Sequence, residues 1–266
     1  MAMSFLSHPD RKLQEQWLRS AKASPISRKA TGSHGAAFSE YAVAPAERVV
    51  PIPIGVTFEQ AAAALLQGMT AHYLSHSAYP IQPGDEVLIH AGAGGTGLLL
   101  TQFAKSRGAR VLTTVSSEEK AELSYQAGAD DVILYTKSDF ADEVKRLTPG
   151  LAAVYDSIGQ STFEQSLTCL KARGTLVLYG SASGDVPPLD LMKLASLGSL
   201  YVTLPILRDY TLTRAELLNR ATEVFRAVAS GTLKLRIERT YSLGEATQAH
   251  RDLESRETTG KLLLLP

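Results

Sequence analysis

Short apolar runs and amphipathic stretches alternate along the chain between residues 86 and 204. Residues 86–90, 110–115, 131–134, 153–156, 175–179 and 200–204 are short Val/Ile/Leu-rich runs bounded by turn signals, which predicts strands. Between the first five lie segments with helical spacing at 96–106, 118–127, 139–147 and 162–170. Strands that are apolar throughout and separated by single helices predict a parallel sheet covered on both faces. The expected fold class is therefore α/β, with a doubly wound parallel sheet.

The flanks read differently. Residues 38–43 alternate as a strand, and 49–54 are held extended by Pro51 and Pro53. Thr57 caps a helix that runs through the alanines at 61–64, is bent or interrupted at Gly68, and resumes toward Leu74. After Pro205 a helix over 214–230, a strand over 237–241, a helix over 245–254 and a strand over 261–265 leave the earlier rhythm. They predict a return to a second lobe, paired with the strands around 38–50. Residues 1–31 stand apart, serine-rich with six basic side chains against Asp10 and Glu15, and with Leu13, Trp17 and Ala21 at helical spacing. The expected organisation is an atypical extension over 1–31, a lobe from 32–66 and 206–266, and a dinucleotide-binding domain over 67–205.

Composition narrows the function classes. Twenty-seven basic residues balance twenty-seven acidic ones, so no global field recruits nucleic acid or an anionic bilayer. Any bound anion needs a local device. Cys169 is the single cysteine, which excludes an internal disulfide and a multi-thiolate zinc site, and reads as a core residue on a helix. His72 and His76 share a helix face, but no third metal ligand is suggested nearby, so no metal is expected. No apolar run is long enough to cross a membrane and no signal-peptide core follows Met1. A cytoplasmic protein is expected, with an organellar transit segment over 1–31 as the alternative.

The local device is Gly92, Gly94 and Gly97, a Gly-x-Gly-x-x-Gly run between a strand and a helix. The first glycine permits a tight turn, the second lets backbone approach a pyrophosphate, and the third lets helix and strand pack closely. Amides at the helix start then hold the phosphate charge without a basic residue. The domain is thus expected to be of Rossmann type and to bind a nicotinamide dinucleotide. At the tip of the second strand, where NAD-preferring sites place an acid, the chain reads Thr114 to Ser117 with no acid, and Lys120 follows one turn later. NADPH (the NADP couple) is the expected cofactor, with Ser116 and Lys120 among its contacts. The bland alternative is a capping box of Ser116 and Glu119 with Lys120 solvated.

These residues resemble the zinc-independent quinone oxidoreductases, including the ζ-crystallins, of the medium-chain dehydrogenase/reductase superfamily. Matching stretches are 58–63, 68–71, 90–97, 114–120, 127–130, 154–157, 198–203 and 253–266, so the likeness runs from about Gly35 to the last residue. The resemblance implies NADPH held by Ala93, Gly94, Gly95, Thr96 and Gly97, with Lys120, Tyr135 and Arg256 around the adenosine phosphate. It implies Gly180 and Ser181 at the nicotinamide half, flanked by Thr70 and Val202. It implies hydride transfer to a quinone or another conjugated carbonyl without a metal, and assigns no side chain a catalytic role.

The departures matter as well. Most of the family's amino-terminal catalytic lobe has no counterpart, so the expectation is a truncated GroES-like β lobe, and the loop at Thr148 to Gly150 is shorter than the family's. The alternative function is therefore a catalytically silent NADPH binder or a structural or regulatory protein. RNA binding, associated with the ζ-crystallin branch, gains no support from the neutral charge. The strand at 199–203 resembles the edge by which family members join sheets, which implies a homodimer.

Overall fold

A computed structural model of the protein describes residues 44–255 and 258–265. The strand expected over 38–43, the extension over 1–31 and Arg256 lie outside the described residues. The chain divides into two compact units, Thr70–Asp209 and the flanking residues through Met69 and from Tyr210.

Helix α1, Phe58–Tyr73, leads into the first of these units and ends in a single π turn, Leu74–Ala78. Thereafter strand and helix alternate as β1 Glu86–Ile89, α2 Gly95–Ser106, β2 Arg110–Val115, α3 Glu118–Gln126 and β3 Asp131–Leu134. The second half runs α4 Phe140–Leu147, β4 Leu151–Asp156, α5 Phe163–Thr168, β5 Leu170–Leu178, α6 Leu191–Ser196 and β6 Tyr201–Thr203. All six strands are parallel, in the order β3-β2-β1-β4-β5-β6. This is the doubly wound Rossmann sheet expected from the apolar runs. On one face Leu88, Leu112, Val154 and Leu176 from successive strands pack with Phe140, Val144, Phe163 and Leu167 from α4 and α5. Each such side chain contributes roughly 1.5–3 kcal/mol by leaving water.

Three local readings change. Gly68 does not interrupt α1, which is continuous from Phe58 to Tyr73. Its lack of a side chain admits Val224 instead, whose Cγ1 would lie 2.7 Å from a Cβ at that position. Helix α5 stops at Thr168 with Cys169 as a buried cap, and Leu170 already pairs with Leu151. Strand β5 therefore begins five residues before the expected 175, across a register shift containing Arg173 at φ 64°. The short helix α6 was not foreseen, because its leucines at 191 and 194 are too few to set a period.

In the other unit, α7 Arg214–Ala229 opens on a capping box of Thr213 and Glu216. There follow β7 Ile237–Ser242, α8 Ala246–Glu254 and β8 Lys261–Leu265. β7 and β8 pair with each other in parallel, a small βαβ unit of their own. Among the described residues, 44–50 contribute no strand to that pair, only a 3-10 turn at Ala46–Arg48.

Candidate functional site

The strand order reverses at β1, whose neighbours are β2 and β4, and open α/β sheets bind their ligands beyond the carboxyl ends of the strands at such a reversal. The glycine run occupies that position. Ala91 turns the chain with left-handed backbone at φ 52°, and the Gly94 amide closes the turn on the Ala91 carbonyl at 2.9 Å. The Gly92 amide bonds the Thr114 carbonyl of β2 at 3.0 Å, which ties the loop to the neighbouring strand. Gly94 caps α2, and the first intrahelical bond runs from the Leu98 amide to the Gly94 carbonyl. The amides of Gly95, Thr96 and Gly97 thus have no carbonyl of their own helix ahead of them, and stand at the helix's positive end.

The three glycines are needed for different reasons. A Cβ at Gly92 would lie 2.5 Å from the Thr113 Cβ and 2.8 Å from the Ser124 hydroxyl. A Cβ at Gly97 would collide with the Ala91 carbonyl. At Gly94 the only atoms within 4 Å would belong to Ala91, the nearest at 3.1 Å. Two glycines therefore serve the chain's own packing, whereas at Gly94 a side chain would meet only Ala91.

Ser116, Lys120 and Tyr135 gather at the carboxyl ends of β2 and β3, whose last residues Val115 and Leu134 are in register. Ser116 lies just past β2, where its carbonyl accepts from the Thr136 hydroxyl. The cap of α3 is Ser117, not Ser116: its hydroxyl accepts from the Lys120 amide, and bonding to it holds the Glu119 carboxyl below its usual range. The expected box of Ser116 and Glu119 is thus replaced by a single cap on Ser117, which puts Lys120 at the third helical position, where no carboxylate returns the bond. Glu118, which would oppose a bound anion, is paired with Lys137 at 2.5 Å. Tyr135 is half exposed beside them.

Gly180 and Ser181 follow β5, in a loop that interlocks with the one after β4. Ala182 and Ser183 donate to the carbonyls of Ser157 and Ile158, and Gln160 donates to the Gly184 carbonyl. A Cβ at Gly180 would sit 2.8 Å from the Ser157 carbonyl, so only glycine permits this approach. Under the loops lies Asp156, fully buried, whose two oxygens accept from the Ile158 and Gly159 amides and the Thr162 and Ser166 hydroxyls. His90, at the tip of β1, lies between the Thr114 hydroxyl at 2.8 Å and the Ser166 hydroxyl at 3.0 Å. Burial holds its imidazole below the usual range, against the opposing pull of Asp156. This polar cluster escaped the sequence reading. Its one local signal is an acid at the end of an otherwise apolar strand, Val154 to Ser157.

The remaining expected residues stand elsewhere. Val202 is in mid-strand of β6, paired with Leu176 and packed against the buried core. Thr70 is on α1, three residues before its end. The rings of His72 and His76 stack at 4.1 Å against the edge of Phe103.

A family model described as zinc-binding dehydrogenase matches residues 95–221. The quinone oxidoreductase of Pseudomonas aeruginosa is 44% identical over 239 residues, which cover 89% of this chain and 73% of that protein. The chain belongs to the quinone oxidoreductase family. A second relative, the 2-haloacrylate reductase of a Burkholderia species, is 40% identical over 86% of this chain and 71% of its own length. A mycobacterial structure solved in complex with NADPH superposes with a TM-score of 0.83 at 49% identity, covering 86% of this chain and 71% of that one. Among the described residues no group of three or more His, Cys, Asp or Glu side chains could hold a metal ion.

Proposed function

We propose that the protein is an NADPH-dependent reductase that passes hydride to a quinone or another electron-poor conjugated carbonyl, without a metal. The observation that carries this reading is the bare helix start at Gly94 to Gly97, placed at the strand-order reversal. Its relatives are named for a quinone and for a haloacrylate, acceptors that share an electron-poor conjugated system, and one related structure holds NADPH. When bound, NADPH supplies the hydride, so the chain need only position, orient and exclude water. The amides of Gly95, Thr96 and Gly97 hold the diphosphate, Ser116, Lys120 and Tyr135 the ribose phosphate, and Gly180 and Ser181 the nicotinamide half.

The test is a fluorescence titration of the full chain with NADPH and with NADH, followed by NADPH oxidation in the presence of a simple quinone. Tight NADPH binding with quinone-dependent oxidation is expected. NADPH binding without turnover would replace the enzyme by a silent cofactor binder, and the absence of binding would overturn both readings. The edge strand β6 supports a homodimer joined sheet to sheet. Its Tyr201 is 61% exposed and Leu204 just beyond it is 65% exposed, unusual for large apolar side chains at a sheet edge.

A further inference from the structure

The buried polar cluster under the strand tips has a direction, which follows from counting donors and acceptors. Asp156 accepts from the Ile158 and Gly159 amides and from the Thr162 and Ser166 hydroxyls, the last at 3.3 Å, and the Ser166 hydroxyl has a single proton, spent there. The Ser166 oxygen, 3.0 Å from His90 Nε2, is then left only as an acceptor, which places a proton on Nε2. A neutral imidazole protonated at Nε2 accepts at Nδ1, so the Thr114 hydroxyl, 2.8 Å away, donates to it. The imidazole is held neutral by its burial, as this chain of donors requires. The far end of the relay is Thr114, and its carbonyl is the acceptor of the Gly92 amide. The near end, Asp156, caps the loop that interlocks with Gly180 and Ser181.

We propose that Asp156, His90 and Ser166 are positioning residues for the dinucleotide site: a one-directional hydrogen-bond chain from Thr114 to Asp156 holds the glycine turn and the nicotinamide-side loops in one fixed relation. The inference rests on the cofactor reading above. It assigns no contact between these side chains and substrate, and no proton moves along the chain in the reaction. A carboxylate is required because an amide at Asp156 can donate as well as accept, which lets Ser166 and the His90 tautomer turn round.

The test uses the full chain with Thr114→Val, which keeps the volume and removes the hydroxyl, Thr114→Ser, which keeps the hydroxyl, Asp156→Asn, and Phe140→Leu. Phe140 packs edge-on against the His90 ring at 4.8 Å, so its variant disturbs the same core without breaking the relay. Nitrogen-15 shifts of the His90 ring in the unaltered protein are expected to show a neutral ring protonated at Nε2. NADPH dissociation constants are expected to rise about tenfold in Thr114→Val and Asp156→Asn, and less than about twofold in Thr114→Ser and Phe140→Leu. A ring protonated at Nδ1 or on both nitrogens at neutral pH would overturn the relay. So would Thr114→Val and Asp156→Asn proteins that bind NADPH as the unaltered chain does. Should Asp156→Asn not fold, the Thr114 pair and the ring shifts decide alone. If the unaltered protein binds no dinucleotide, the cofactor reading fails and this one with it, an outcome separate from variants that merely match it.

Discussion

At the scale of single residues, two charges carry opposite lessons. Lys120 stands one turn into α3, past the tip of β2, with Glu118 paired to Lys137, and the proposed function gives its ammonium the ribose phosphate. Lys120→Ala should weaken NADPH by about tenfold and NADH by less than about twofold, the size of one lost charge-assisted hydrogen bond. Fluorescence titration with the two nucleotides checks this, and equal losses for both would remove Lys120 from the phosphate site. Lys261, the first residue of β8, is only 5% exposed, and burial brings its ammonium down to about 8. Its folded value lies below the unfolded one, so the destabilisation is full below pH 8, fades as pH rises through that value, and is gone above about 10.5. Lys261→Met should therefore stabilise the protein by up to about 3 kcal/mol at neutral pH. Melting temperatures across pH 7 to 10.5 check the sign: the gain must shrink as pH rises.

At the scale of elements, helix contacts depend on where side chains are missing. Gly68 lies inside α1 and faces Val224 of α7 so closely that a methyl group there would overlap the valine. Gly68→Ala favours the isolated helix by about 1 kcal/mol, but overpacking of about 1–3 kcal/mol opposes it. The net expectation is a lower melting temperature, restored in the Gly68→Ala, Val224→Ala double variant. A single variant as stable as the parent would show that the two helices can part freely. Helix propensity alone made Gly68 read as a break, because the sequence shows a glycine's cost and not the neighbour that needs it.

For the whole molecule, the homodimer proposed above rests on the exposed edge of the six-stranded sheet. Tyr201→Lys with Leu204→Lys would place one charge on β6 and one just beyond it, a device that blocks edge pairing. Sedimentation at micromolar concentration should give a dimer for the parent and a monomer for the double variant, with NADPH affinity unchanged. A parent that sediments as a monomer would end the sheet-to-sheet reading. Among the described residues, no helix is long and apolar enough to cross a membrane.

The doubly wound sheet and the glycine turn were legible from the chain alone, because strand runs, helix periods and Gly92, Gly94 and Gly97 are patterns of neighbours in sequence. That Ser116 and Lys120 lie together past the tip of β2 was partly legible, since β2 and its following helix are continuous in the chain. The relay under the strand tips was not, for His90 meets partners 24 and 76 residues away. Neither Thr114 nor Ser166 differs locally from any buried strand threonine or helix serine. The direction of the relay depends on the count of donors around Asp156, and that count exists only once β1, β2, β4 and α5 have packed together.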